Sequence, residues 1–280
     1  MKVYVPSNGL LGTYSVEMKA PTLSVLNKVR DYSKYSLTRM SEFVRDTTNA
    51  DLEKITLSDL QFLFMIGVAS MTFNKFEYTI RCECGKIIKG AIDLTLVEPI
   101  RLSREEEYPA IVERDVAGGH YRFRYLSAKD FIDISEYTVD VLNDVDLDNK
   151  EEPQSAYQLI QEKALTSVCL FDSLDPKKVE SVLDLPFTVV QMAIAFQEFY
   201  PHGLSLSDRV TCDKCKRDLL VNYPIDGSLL DFDMTKVIAN HVALSKYLGY
   251  SDFMNFTLPE YSAYIDALNA HITKQNGSNG

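Results

Sequence analysis

Two pairs of cysteines are the residues in this chain whose type and spacing could do chemistry. Cys82 and Cys84 interrupt the alternating, strand-like run FEYTIRCECGKIIKGAIDL. Cys212 and Cys215 stand more than a hundred residues later, in SDRVTCDKCKRDLLVNYPID. Zn²⁺ in structural sites takes four ligands in a tetrahedron and favours thiolates. Two hairpin tips that each give two sulfurs satisfy this demand, so the sequence predicts a structural zinc in a zinc-ribbon-like site.

The spacing of the cysteines leaves other interpretations open. The first pair is C-x-C, one residue shorter than the usual knuckle, although Gly85 after it suits a turn with positive φ. Incidental buried cysteines and redox or iron-sulfur chemistry are the alternatives. A thioredoxin-like pair would stand at a helix N-terminus, whereas Cys212 and Cys215 lie between strand-like segments. A catalytic zinc keeps one ligand position open for water, and four sulfurs would fill that position.

Other candidate residues are weaker. Cys169 falls on the apolar face of a helical stretch and is predicted to be a small core residue. Asp144, Asp146 and Asp148 occupy the first EF-hand ligand positions, but the Gly and the final Glu of that loop are missing, which favours a solvated acidic loop. His202 lies near the second cysteine pair, where it could support a metal ligand or simply end a helix.

The elements that must position the cysteines predict an α+β fold that is mainly helical. An N-terminal β-hairpin over residues 1–20 precedes the first helices, and the two cysteine-bearing hairpins meet at the zinc site. Helices are predicted over Leu23 to about Tyr35, about Leu37 to Val44, the apolar stretch after Thr56, Ala128 to Leu142, Asp175 to Phe196 with an interruption at Pro186, about Met234 to Tyr247, and Leu258 to Thr273. The C-terminal KQNGSNG is predicted to fray.

The order of these elements predicts one domain with a repeated plan. Each cysteine hairpin follows a helix and ends on an Ile-Asp step, which indicates a diverged internal duplication with facing tips. The predicted parts of the single domain 1–280 are a first helix and hairpin unit (1–100), an insertion with an acidic loop (101–154), a second helix and hairpin unit (155–230) and C-terminal helices (231–280).

Composition narrows the classes of function. The 280 residues are 46% hydrophobic and carry a net charge of −11, which argues against direct nucleic-acid binding. The short basic cluster Lys214, Lys216 and Arg217 is interpreted as a solvated hairpin tip.

No apolar run reaches the roughly 18 residues that a membrane span needs, and no secretory signal opens the chain, so we expect a cytosolic protein with no membrane partner. The 16 Tyr and 14 Phe residues suit protein interfaces, and no catalytic motif is recognisable, so we expect a non-enzyme.

The order of short motifs resembles a known group of proteins. VPSNG, KAPTLSVL, the buried helix before CECGKIIKGAIDL, and the later CDKCKRDLLVNYPID resemble the baseplate hub and hub-assembly proteins of T-even-like contractile-tailed bacteriophages. The likeness spans roughly residues 1–226 and leaves out the insertion and the C-terminal helices. The resemblance implies zinc ligation by the four cysteines of the two hairpins, Cys82, Cys84, Cys212 and Cys215.

Two functions follow as expectations. The resemblance implies a non-enzymatic protein of the baseplate hub, either a structural component or an assembly factor, whose partners are hub and tape-measure proteins of the tail. Such a protein would act in the cytoplasm of the bacterial host during assembly and, if built in, in the tail baseplate of the virion. The alternative is a zinc-ribbon adaptor that binds transcription machinery. An exposed, basic and aromatic ribbon tip would favour the adaptor.

Overall fold

The computed structural model describes residues 1–29, 36–70, 75–143, 153–205, 207–222 and 253–277. Within these ranges the chain forms helices and small antiparallel hairpins. The helices are α1 (Leu23–Lys28), α2 (Ser36–Thr47), α3 (Leu57–Ala69), α4 (Ala128–Asn143), α5 (Pro153–Phe171), α6 (Pro176–Ser181), α7 (Phe187–Phe196) and α8 (Leu258–Gly277). The hairpins pair β1 (Lys2–Tyr4) with β2 (Ser15–Glu17), β3 (Lys75–Arg81) with β4 (Ile87–Asp93), β5 (Ile111–Val116) with β6 (Gly119–Arg124), and β7 (Ser207–Thr211) with β8 (Asp218–Asn222). No helix in the described ranges is both long and apolar enough to cross a membrane.

A capping box fixes the start of α3, the helix that leads to the first cysteine hairpin. The Thr56 hydroxyl accepts the Asp59 amide at 3.1 Å, and the Asp59 carboxylate accepts the Thr56 amide at 3.0 Å. The second carboxylate oxygen of Asp59 accepts the Ser7 amide at 2.8 Å. The sequence offers Thr56 and Ser58 as caps for this helix, and the structure uses Thr56. The bond from Ser7 adds a tie between α3 and the turn of the N-terminal hairpin.

Two hydrophobic cores lie side by side in the fold. The first is formed by the N-terminal hairpin, α1, α2, α3, α8 and the first turns of α4, and Phe43 packs edge to face on Phe64 at 5.2 Å between ring centroids. The second is formed by β6, α4, α5 and α7, with Phe123 and Val189 fully enclosed. Segment 101–154, which the sequence suggested as an insertion, therefore supplies strands and a helix to this second core.

Several predicted helix ends differ from the structure. Helix α1 ends at Lys28, short of the predicted end, and residues 30–35 lie outside the described residues. Helix α2 continues past the predicted Val44 to Thr47, whose hydroxyl donates to the Phe43 carbonyl at 2.7 Å. Helix α8 continues to Gly277 through part of the tail that was predicted to fray.

The helical spacing of Val189, Met192, Ala195 and Phe196 predicts one buried stripe along α7, and the structure differs from this prediction at two positions. Met192 and Ala195 are exposed, whereas Val189, Ala193 and Phe196 face the second core. The helix is apolar on nearly every side, so periodicity does not decide which side is buried. The predicted acidic loop with its three aspartates, the predicted helix 234–247 and the second Ile-Asp step lie outside the described residues.

Candidate metal centre

Each cysteine pair stands at the tip of a two-stranded hairpin. Cys82 directly follows β3, whose last residue Arg81 pairs with Ile87, the first residue of β4. Cys212 directly follows β7, whose last residue Thr211 pairs with Asp218 of β8. Both pairs therefore lie in the turns that join the strands.

The two tips meet and bring the four sulfurs together. The Sγ atoms of Cys82, Cys84, Cys212 and Cys215 all lie within 4.8 Å of one another. The closest contacts join the two hairpins: Cys82 Sγ lies 3.5 Å from Cys215 Sγ, and Cys84 Sγ lies 3.7 Å from Cys212 Sγ. Four sulfurs at about 2.3 Å from a tetrahedral ion would stand about 3.8 Å apart. The group is therefore of the right size and donor type to hold a metal ion.

The tip of the first hairpin is closed by backbone hydrogen bonds around Cys82. The Cys82 amide donates to the Lys86 carbonyl at 2.9 Å, and the Gly85 amide donates to the Cys82 carbonyl at 2.8 Å. Gly85 has a φ of 82°, which is in the left-handed region that glycine adopts without steric cost. The turn therefore reverses the chain within the C-x-C-G segment.

The second tip repeats this plan with one extra residue. The Cys212 amide donates to the Arg217 carbonyl, and the Lys216 amide donates to the Cys212 carbonyl, both at 2.8 Å. In both tips the residue after the second cysteine thus binds the carbonyl of the first. Here that residue is Lys216, whose φ of 60° is also left-handed. The shorter C-x-C spacing is therefore compatible with the same arrangement of sulfurs.

Backbone amides favour the thiolate form of the first cysteine in each pair, and this effect prevails at Cys212. The Cys215 amide, together with that of Lys214, donates to the Cys212 sulfur and lowers the pKa of this thiol to about 7 against the opposing effect of burial. At Cys82 the Cys84 amide acts in the same direction, but burial and thiol hydrogen bonds, the largest from Cys215, raise the pKa to about 12. Crowded thiols resist joint ionisation because thiolates repel one another, and a divalent cation removes that repulsion.

Burial differs within each pair in the same way. Cys82 and Cys212 are buried, with 2% and 0% of their surface exposed. Cys84 is partly buried and Cys215 is exposed. Each hairpin therefore places its first sulfur inside and its second sulfur towards solvent.

Charged side chains link the two tips around the sulfurs. Arg217 donates to the carboxylate of Glu83, and Lys86 lies 3.3 Å from the Asp213 carboxylate. Lys214 Nζ donates to the Cys84 carbonyl at 3.3 Å. Part of the basic cluster that was interpreted as solvated thus bonds across the tips. Sequence reasoning missed these pairs, although the first tip carries Glu83 and Lys86 and the second carries Asp213 beside three basic residues, a pattern that could have indicated them.

The bases of the two hairpins are also held together. Ile100, downstream of β4, and Gly203, upstream of β7, exchange backbone hydrogen bonds at 2.8 and 2.9 Å. The two chain segments that carry the hairpins are therefore joined below the tips as well as at the sulfurs. This bridge was not predictable from the sequence, because no residue type signals a single long-range backbone pair.

The remaining candidates lie elsewhere. Cys169 is buried in the second core, where its thiol donates to the Arg124 carbonyl at 3.4 Å and burial raises its pKa to about 11. His202 donates from Nδ1 to the Tyr200 carbonyl at 2.6 Å, and its Nε2 lies 2.9 Å from the Thr56 hydroxyl. Its hydrogen bonds thus go to the start of α3 rather than to the cysteines.

Comparisons with protein families, with curated proteins and with solved structures found no match to this chain. The functional assignment therefore depends on the geometry of the cysteine group and on the order of motifs in the sequence.

Proposed function

We propose that the protein is a non-enzymatic structural or assembly protein whose two hairpins are clamped by one structural Zn²⁺. The observation that carries this proposal is the meeting of four sulfurs from two hairpins within 4.8 Å. Zinc fits because four thiolates form one of its usual structural ligand sets, and because a tetrahedron accommodates their separations.

The metal would act on the whole fold. Cys82 and Cys215 are 133 residues apart in the sequence, so an ion that binds both closes a very long loop. An unfolded chain has no preformed site, and the binding free energy therefore adds to the free energy of folding. The hairpins are short and two-stranded, and such hairpins are marginally stable on their own.

A structural role is favoured over a catalytic one by the ligand set. Four sulfurs complete the coordination of a tetrahedral ion and leave no position for a reacting water. The absence of a recognisable catalytic motif in the sequence agrees with this interpretation.

The place of action that we propose is the baseplate hub of a contractile-tailed bacteriophage, with hub or tape-measure proteins as partners. Its support is the resemblance of VPSNG, KAPTLSVL and the two cysteine segments, in that order, to hub and hub-assembly proteins. Two of the segments that carry the resemblance are joined by one hydrogen bond, in which the Ser7 amide of VPSNG donates to Asp59 at the start of α3, the helix that precedes the first cysteine hairpin.

One observation bears on the alternative, an adaptor for transcription machinery. The tip residues Lys214 and Lys216 are exposed and basic, as such an adaptor would require. The tips carry no aromatic side chain, whereas exposed aromatic residues such as Tyr14 and Phe187 lie elsewhere. We therefore favour the tail protein.

The metal is tested by elemental analysis of purified protein and by two matched cysteine variants. We expect one zinc per chain, loss of zinc in Cys212→Ser and retention in Cys169→Ser. The midpoint of thermal unfolding should fall by roughly 10 °C in the first variant and by a few degrees in the second. Equal and small effects from both changes would contradict a metal centre.

The place of action is tested by affinity purification of the tagged protein from infected cells, with the Cys212→Ser variant as a control for correct folding. Co-purification of tail hub or tape-measure proteins is the expected result. Recovery of RNA polymerase without any tail protein would favour the adaptor and overturn the hub assignment.

A further inference from the structure

An open apolar groove of about 670 Å³ lies between α7 and the β5–β6 hairpin, and none of the four clustered cysteines lines it. One wall is the exposed side of α7 together with Phe196, which also belongs to the second core, and the other is the hairpin face that carries Val112 and Phe123. Phe123 is buried at the bottom of the groove, so the groove opens directly onto the second core.

Large apolar side chains stand exposed along the groove. Phe187 and Phe199 are 75% and 67% exposed, and Met192 is 39% exposed. Isolated exposed apolar residues are ordinary, but a contiguous apolar patch on a monomer usually marks a binding surface. These three residues border one cavity and therefore form such a patch.

The spacing of the lining residues indicates the shape of the occupant. On α7, Phe187, Gln191 and Ala195 follow one another at intervals of four, and Thr188, Met192 and Phe196 form a second row beside them. Phe199 lines the groove just past the end of the helix. Rows at this interval are the ridges with which helices pack, and the channel between two such ridges accepts a ridge of another helix. Helix α7 has ten residues and is thus about 15 Å long, which matches about three turns of a partner helix.

The charge of the residues that line the groove indicates the charge that the occupant carries. Arg114 is the charged residue that lines the groove. Within the described residues its guanidinium forms no salt bridge and donates a hydrogen bond to the neighbouring Glu113 carbonyl. The carboxylates of Glu113 and Asp115 lie instead near His120, at 3.5 and 2.8 Å. A carboxylate on the occupant would therefore complement Arg114.

We propose that this groove binds an amphipathic helix of another protein, with apolar residues on one face and an Asp or Glu that pairs with Arg114. A second copy of this chain fits less well, since a symmetric pair on this face would bring two Arg114 side chains near each other at an apolar interface. The inference depends neither on the bound metal nor on a role in the phage tail.

The test is a selection from a displayed library of random peptides of about 14 residues, long enough for the three turns that α7 can contact. The library is selected in parallel on wild-type protein, on Met192→Glu and on Arg114→Glu. Both substitutions are at exposed positions, and unchanged circular dichroism and metal content confirm that the variants fold. Phe187→Ser serves as a second groove variant should Met192→Glu fail this check.

Wild-type protein is expected to enrich peptides with apolar residues three and four positions apart and an acidic residue on the flank. Met192→Glu should bind these peptides at least about tenfold more weakly. Arg114→Glu should enrich the same apolar pattern with Lys or Arg in place of the acid. Because the selection does not involve phage proteins, its outcome is separate from that of the hub assignment.

Two results would overturn the inference. The first is a wild-type selection that yields no peptide family distinguishable from that of the groove variant, or one that is indifferent to the charge at Arg114. The second is a wild-type dimer in sedimentation velocity that Met192→Glu dissociates, because a second copy would then be the occupant.

Discussion

The two cysteine hairpins each bring two sulfurs into the four-cysteine group, but their turns differ in length. The first has strands of seven residues and a C-x-C tip, and the second has strands of five residues and a C-x-x-C tip. In each, the amide after the second cysteine binds the carbonyl of the first at 2.8 Å. For the placement of the two sulfurs, the number of residues in the tip is therefore less important than this hydrogen bond and the positive φ of the residue that donates it.

The donors of that bond differ in their conformational cost. Gly85 adopts positive φ freely, whereas a residue with a Cβ such as Lys216 pays about 1 kcal/mol for the left-handed conformation. Backbone strain of this kind persists only where the surrounding structure determines it strongly. The second hairpin thus depends more on the closure of the cysteine group than the first.

The largest expected difference concerns which sulfur can be replaced. Cys215→His should keep the metal, because position 215 is exposed and a Cys₃His set also suits zinc. Cys82→His should lose it, because Cys82 is 2% exposed and the larger ring has no room there. Zinc content and thermal unfolding in excess zinc measure both effects, and we expect a fall of roughly 10 °C in the midpoint for Cys82→His alone.

Equal retention of zinc by both variants would show that the inner and outer sulfurs are equivalent. The comparison between buried and exposed positions would then be wrong. Cys169→His offers a control for the cost of a buried imidazole far from the group, since Cys169 is buried in the second core.

A smaller effect is expected from exchanging the donors of the turn bond. Gly85→Ala should lower the free energy of unfolding by about 1 kcal/mol through its positive φ alone, because an added Cβ meets no atom within 4 Å. Lys216→Gly should raise it by about 0.5 kcal/mol, since relief of strain exceeds the greater entropy of glycine in the unfolded chain. Denaturant titration of the metal-bound protein measures both.

Gly118→Ala is a matched control for this pair of changes. Gly118 has a φ of 83°, close to the 82° of Gly85, and an added Cβ there also meets no atom within 4 Å. Both alanine variants should lose similar stability, but only Gly85→Ala should weaken zinc binding. Weaker zinc binding in Gly118→Ala as well would mean that general stability, rather than the turn, sets the affinity.

The helix caps and the four-cysteine group could be predicted from the sequence, because each is signalled by the types of a few neighbouring residues. Residue types alone offer Thr56 or Ser58, Ser127 and Asp175 at the starts of three helices, and in the structure Thr56, Ser127 and Asp175 each accept a backbone amide. The grouping of the four cysteines was expected because few arrangements other than a metal site explain paired thiols on distant hairpins. In both cases the signal lies within a few residues of the feature that it predicts.

Long-range packing was not predictable in the same way. The bridge between Ile100 and Gly203 and the bond from Ser7 to Asp59 join segments far apart in the sequence, and each partner has an ordinary residue type. The exposed side of α7 was misassigned because its residues are apolar all round, so the neighbours decide which side is buried. The groove beside α7 follows from that exposed side and was missed with it.

The smallest expected effect concerns the charges that link the two tips. Lys86 and Asp213 lie 3.3 Å apart with side chains 44% and 71% exposed, so solvent and salt screen their attraction. A double-mutant cycle of Lys86→Gln and Asp213→Asn should give a coupling below about 0.5 kcal/mol that falls further at high salt. A coupling that is larger and insensitive to salt would mean that side-chain pairing, as well as the sulfurs, holds the hairpins together. In that case the metal-free protein would keep its tips in contact, and the two hairpins would differ less in their dependence on the ion than their turns suggest.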